Sequence, residues 1–295
     1  MGKKVLVTGA SGLIGRELCR QLYNKNYYVV AIDNSFRYNF KPMCHEYYSN
    51  NITEVLLNIK NDFEYIFHLG NINGTKYFYD IPTQLIENNI SADFSVFNFV
   101  KQNLKCKLIY ASSSEVVAGT THFPTIEEID VNIKDIHNPR WSYRLPKILG
   151  ENYLKNSNFN FLVVRFFNVY SEYSGSGHFV KDITDKLKEK NYEIISPNET
   201  RSFCYVSDAV EAIICLKDIS NEIVNVGSDE EIKIVNAANI IANALGISNV
   251  KWTVKDSRPG SVNRRVPDIT VLKRHYPSYN PKKFSEVISW LAPML

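Results

Sequence analysis

The chain has 295 residues, 44% of them hydrophobic, with 34 basic against 31 acidic side chains and a net charge of +3. That supplies apolar material for a sizeable core, while the interspersed charges exclude a nucleic-acid or membrane-surface binder built on a charge block. Five scattered cysteines (Cys19, Cys44, Cys106, Cys204, Cys215) without C-x-x-C spacing exclude a disulfide framework and a zinc site, and make reduced cytoplasm the default compartment.

The first apolar run, Lys4–Thr8, predicts a buried strand that starts too early to leave room for a secretory segment. No apolar run reaches the roughly 18 residues needed to span a bilayer. Directly after the strand come Gly9, Ala10, Ser11, Gly12, Leu13, Ile14 and Gly15, then a helical period over residues 12–24. Strand-like runs at 28–33, 65–69 and 108–111 alternate with a helical period at 84–103, which predicts βαβ units and a parallel sheet. Two more strands are expected at 161–166 and 222–226, the second after a helix beginning near Ser207. The fold class expected is α/β: a Rossmann-type doubly wound parallel sheet with a smaller C-terminal α/β substrate lobe. Residues 1–170 form the dinucleotide domain, which also receives a strand and helix from about 203–227, and residues 171–295 form the lobe.

Glycines after a buried strand let the backbone turn tightly into a helix whose free N–H groups can hold a pyrophosphate. Asp33 follows Gly15 by eighteen residues, close to the ~20-residue offset at which a carboxylate hydrogen-bonds an adenosine ribose. This favours NAD; Arg37 keeps NADP as a minority possibility. A tight turn with no ligand is the plain alternative for the glycines taken alone.

Tyr143 and Lys147 are four apart and share a helix face, so the ammonium favours the ionised phenol. Tyrosine titrates near ~10, so a base working at neutral pH needs a depression of roughly three units, about 4 kcal/mol, shared between Lys147 and the nicotinamide cation. With 18 tyrosines in the chain the spacing alone is weak, and Tyr279 with Lys283 matches it too. Tyr143 opens a helical period with Pro146 expected in the first turn, whereas Tyr279 sits in a proline-flanked tail and is expected at the surface. The run Ser112, Ser113, Ser114 follows the 108–111 strand and lies at the carboxyl end of the sheet, where open α/β folds bind ligands. A small polar turn is the competing explanation.

With those residues assembled, the chain resembles the extended short-chain dehydrogenase/reductase family, specifically its NAD-dependent nucleotide-sugar epimerases, dehydratases and decarboxylases, over nearly its whole length. Phe67-His68-Leu69 resembles the family's fourth strand and Asn88 its central-helix asparagine. Arg165 to Tyr170 is similar to R-x-F-N-x-Y, which includes Asn168, and Arg201 to Asp208 to R-x-F-x-Y-V-x-D, which includes Tyr205. The resemblance implies NAD held by Gly9, Ser11, Gly12, Leu13, Ile14, Gly15, Asp33, Asn34, Asn51, Ile52, Leu69, Asn88 and Lys147. It implies a nucleoside-diphosphate sugar held by Ser114, Asn168, Arg201, Tyr205 and Arg258, with His178 a further candidate and Arg264 and Arg265 undecided. It also implies a homodimer through the helices over 84–103 and 143–155.

The resemblance further implies that Tyr143 deprotonates the sugar 4-hydroxyl, Ser113 hydrogen-bonds the same oxygen, and Lys147 holds the ribose. A one-residue slip would move the serine role to Ser114. Two departures stand out: Val116-Val117-Ala118-Gly119 replaces V-Y-G, which removes an aromatic wall, and Asn50-Asn51-Ile52 replaces G-D-I, which weakens the adenine contact. Glu115 is similar to the glutamate of GDP-mannose dehydratases and UDP-glucuronate decarboxylases, where 4-epimerases have a small residue; a purely structural glutamate is the competing explanation. The T-D-E pair of dTDP-glucose dehydratases is absent. The balance falls to a 4-epimerase, with 4,6-dehydratase, decarboxylase, C4 dehydrogenase or 4-ketoreductase, and a non-catalytic NAD sensor as alternatives.

Overall fold

The computed structural model describes residues 2–36, 39–131, 133, 135–175, 177–256 and 260–295. Six strands open the sheet: β1 (Lys4–Thr8), β2 (Tyr28–Ile32), β3 (Glu46–Tyr48), β4 (Tyr65–His68), β5 (Lys107–Ser113) and β6 (Asn160–Phe166). The strand Glu222–Val226 completes it, in the order Glu222–Val226, β6, β5, β4, β1, β2, β3, with every neighbouring pair parallel. This is the doubly wound α/β sheet that the alternation of runs predicts. β3 has no strong apolar signal in the sequence, because Glu46, Tyr47 and Tyr48 form a half-buried edge.

Both faces of the sheet are covered, so alternate side chains enter different cores. Val5 and Val7 pack with α1 (Leu13–Asn24) and α7 (Val206–Leu216), whereas Leu6 packs toward α2 (Ile52–Asn58), α4 (Pro82–Val100) and α5 (Trp141–Lys155). Pro82 opens α4, where its missing N–H costs little. Pro146 is a correction: α5 begins at Trp141, so the proline lies inside the helix in its second turn, not in the first.

The chain leaves β3 at one edge and returns to β4 on the far side of β1, so the connections diverge between β1 and β4. Open α/β sheets bind ligands at the carboxyl ends beside such a switch. Past β6 the small strands among the described residues form three minor sheets: Val169–Tyr170 with Cys204–Tyr205, Thr200–Ser202 between Glu231–Lys233 and Arg264–Arg265, and Glu193–Ile195 with Thr253–Lys255. α6 (Phe179–Lys188), α8 (Ile234–Ala244) and the helix Phe284–Met294 pack around them. Tyr279 departs from its surface expectation: it is 5% exposed and donates its hydroxyl to the Gly227 carbonyl at 3.0 Å. No helix among the described residues is long and apolar enough to cross a membrane.

Candidate active site

A cavity of about 700 Å³ opens at the carboxyl edge of the sheet and reaches into the second half of the chain. Its first wall is the β1–α1 turn. Gly9 has φ +68°, and a Cβ there would lie 2.5 Å from the Leu69 carbonyl oxygen; at Gly15 it would lie 2.1 Å from the Gly9 oxygen. Side chains are thus excluded and the backbone itself faces the cavity. Gly12 begins α1 with no side-chain cap, leaving the first N–H groups for an anion.

Leu13, Ile14, Asp33, Asn34, Ile52 and Leu69 line this end too. Asp33 accepts N–H bonds from Ser11 at 2.9 Å and Ser35 at 2.8 Å. Burial raises its pKa while those two bonds pull it back. Ser11 is itself buried, its hydroxyl donating to the Phe40 carbonyl at 2.6 Å, so it holds the turn and does not line the cavity. Asn51 is an exposed cap of α2 that accepts from the Thr53 N–H at 3.0 Å.

Asn88 requires a correction. The buried stripe of α4 runs through Leu85, Asn89, Asp93, Val96 and Phe97, which leaves Asn88 on the exposed face. Asn89 is the inward asparagine: it accepts from the Ile72 N–H at 2.7 Å and donates to the Ile72 carbonyl at 3.1 Å. The sequence carries that signal as two polar residues four apart inside an apolar period.

The middle of the cavity gathers Ser113, Ser114 and Glu115 from the end of β5 with Tyr143 and Lys147 from α5. Tyr143 is 4% exposed and stacks on Phe78 of the helix Thr75–Asp80, with ring centroids 5.0 Å apart and planes 12° from parallel. Lys147 is 1% exposed and donates to the Ala111 carbonyl at 2.6 Å and Asn71 Oδ1 at 2.8 Å. Burial pushes its pKa down to about 8, against the pull of Asp93 and Glu151. Ser113 Oγ accepts the Glu115 N–H at 3.2 Å, whereas Ser112 is engaged by Glu151.

Glu115 sits between two guanidinium groups that sequence reading did not assign. Arg140 donates to both its oxygens, at 3.0 and 2.6 Å, and Arg265 donates to Oε1 at 2.8 Å. Burial alone would raise the Glu115 pKa, but the charges of Arg265 and Arg140 hold it well below the usual carboxylate range. Nε and Nη2 of Arg265 are buried without a hydrogen-bond partner among the described residues. Asn168, His178 and Arg201 line the same cavity, with Arg201 braced by Glu199 at 2.6 Å. Tyr205 does not line it; its hydroxyl donates to Glu172 at 3.0 Å. Arg258 lies outside the described residues, as does Arg37.

Residues 5–227 match the model of the NAD dependent epimerase/dehydratase family. The chain belongs to that family. A UDP-N-acetyl-alpha-D-glucosaminuronate decarboxylase from Bacillus cytotoxicus is 30% identical, with 98% of each chain covered. A putative UDP-glucose 4-epimerase from Methanocaldococcus jannaschii is 27% identical over 90% of each. Among solved structures, the UDP-glucose 4-epimerase of Thermotoga maritima with UDP-glucose has a TM-score of 0.87 at 23% identity, covering 99% of this chain and 98% of that one. As a member of the epimerase/dehydratase family the protein is an NAD-dependent enzyme. The side-chain-free turn at Gly9 and Gly15, the uncapped start of α1 and the Asp33 carboxylate fit the pyrophosphate and ribose of that cofactor.

Proposed function

We propose that this enzyme oxidises the C4 hydroxyl of a nucleoside-diphosphate sugar and returns hydride to the opposite face, making it a nucleotide-sugar 4-epimerase. NAD, when bound, supplies a hydride acceptor and donor. In this reading Gly9, Gly12 and Gly15 hold the pyrophosphate with Leu13 and Ile14, Asp33 and Asn34 take the ribose, and Ile52 and Leu69 border the adenine half. Tyr143 takes the C4 hydroxyl proton and later gives it back, Ser113 or Ser114 hydrogen-bonds that oxygen, and Lys147 supplies positive charge beside the phenol and holds the nicotinamide ribose. Arg201 takes the diphosphate, with Asn168 and His178 along the nucleotide.

One observation carries the choice of outcome: Glu115 is fixed as a carboxylate between Arg140 and Arg265. Elimination across C5 and C6 needs a group that takes up a proton at C5, and an anion held that firmly is a poor base. Proton traffic then falls on Tyr143 alone, which suffices for oxidation and return. The test is incubation with C4-epimeric pairs, UDP-glucose with UDP-galactose and their N-acetyl analogues. Interconversion without net reduction is expected, and a 4-keto-6-deoxy product overturns the reading.

A second reading, decarboxylation, is favoured by Arg265. Its Nε and Nη2, without a hydrogen-bond partner among the described residues, and its place in the cavity lining beside Glu115 suit a sugar carrying a C6 carboxylate, and a 4-ketone makes such a carboxylate a β-keto acid that loses carbon dioxide. The relative at 30% identity is named for that reaction. Release of carbon dioxide from a UDP-uronate, with no epimerisation of neutral sugars, selects this reading.

The same proposal has residues 1–170, with the returning 203–227 segment, serving the cofactor, and 171–295 serving the nucleotide sugar. It has two copies pairing through α4 and α5, the latter with Leu149 exposed, and a reducing cytoplasm in which all five thiols stay free.

A further inference from the structure

Behind the catalytic lysine lies a buried carboxylate to which the proposed chemistry gives no task. Asp93, on the inward stripe of α4, is 2% exposed. It accepts three hydrogen bonds: from His68 Nε2 at 2.9 Å, from Asn71 Nδ2 at 2.9 Å and from the Tyr110 hydroxyl at 2.7 Å. Thr8 satisfies the other ring nitrogen of His68, 2.7 Å away. These donors solvate the anion without neutralising it, because burial lowers the His68 pKa and drives that of Tyr110 well up. A buried carboxylate is costly without a compensating cation. The cation is Lys147, joined to it through one amide: Asn71 donates to Asp93 and accepts from Lys147 at 2.8 Å.

The other charged groups facing Lys147 are already engaged. Glu151, one turn along α5, accepts two bonds from Arg165 at 2.9 and 2.6 Å and one from Ser112. From β5 come the Ala111 carbonyl and the Tyr110 ring, whose centroid is 4.5 Å from Nζ, and from β4 comes His68 behind Asp93. Tyr143 is four residues back on the same helix.

We infer that Asp93 is a positioning residue for the reaction: through Asn71 it fixes Lys147 Nζ at the cavity wall and keeps it charged beside Tyr143. This rests on the role of Lys147 in the function proposed above. Burial pushes the lysine down and Asp93 opposes it, so removing the carboxylate lowers the pH at which Lys147 loses its proton.

The test is a pH titration of the holoenzyme labelled with ¹³Cε-lysine, the Lys147 signal being assigned by its loss in Lys147→Met. In Asp93→Asn the midpoint is expected to fall by about one pH unit, and the alkaline limb of kcat to move down with it. Asn71→Ala, which keeps the charge and cuts the bridge, gives a second downward shift should Asp93→Asn not fold. An unmoved midpoint in a folded variant overturns the inference. The titration needs no substrate, so it separates this failure from failure of the assigned reaction, which would appear instead as turnover that survives Tyr143→Phe.

Discussion

Arg265 Nη1 meets Glu115 Oε1 at 2.8 Å although 150 residues of chain separate them. The contact ties the end of β5 to the short strand Arg264–Arg265. Removing one member of a buried ion pair typically costs roughly 3–5 kcal/mol, because the other charge is left uncompensated. Glu115→Gln is therefore expected to lower unfolding free energy at pH 7 by about that amount in urea denaturation.

The acid response carries a definite sign. The Glu115 pKa is depressed in the folded state, so its contribution is present above the unfolded value of about 4.3 and is lost as pH falls toward the folded one. The gap in Tm between wild type and Glu115→Gln should narrow below about pH 4. A gap independent of pH would mean that Glu115 acts by shape and not by charge.

Tyr143→Phe keeps the stack on Phe78 and removes the hydroxyl. Turnover is expected to fall by about 10²–10⁴-fold, the usual worth of a positioned acid–base group. NAD should still co-purify, which absorbance and mass spectrometry of the released cofactor would check.

Asp33→Asn keeps the side chain's shape and removes its charge. NAD affinity is expected to drop roughly 10- to 100-fold, as one charge-assisted hydrogen bond is worth about 1.5–3 kcal/mol, while NADP affinity rises. Calorimetric titration with both dinucleotides measures the two directions.

Arg265→Met separates the two outcomes of the reaction. With an acidic sugar as substrate, KM should rise roughly tenfold or more through loss of a charge-assisted bond, and with neutral sugars it should change little. Equal effects on both classes would place the Arg265 contact on the diphosphate.

Tyr279→Phe addresses the second tyrosine–lysine spacing. Burial drives the Tyr279 phenol well above its ordinary pKa, and its hydroxyl ties Gly227 to the segment bearing Cys204. A loss of about 1–2 kcal/mol in stability with unchanged kcat is expected, from one buried carbonyl left without a donor.

The sheet was legible because parallel strands buried on both faces read as continuous apolar runs, and β1, β4 and β5 are such runs. The glycine turn was legible because only residues without a side chain fit between Gly9, Leu69 and Gly15. Contacts assembled from distant segments were not. Arg140 and Arg265 reach Glu115 from the α5 approach and from near the C-terminus, and no spacing announces them. The asparagine of α4 was missed by one position because two stand side by side, and only the helix's rotation, about 100° per residue, distinguishes Asn88 from Asn89.

The strand Glu222–Val226 lies beside β6 at the sheet's far edge, supplied by chain that has already passed through the small sheets beyond β6. Expressed alone, residues 1–170 would end with β6 as a raw border, open to pairing with another copy. The backbone passes repeatedly between the large sheet and the small ones, so a cut after residue 170 would part strands that the sheet holds as neighbours.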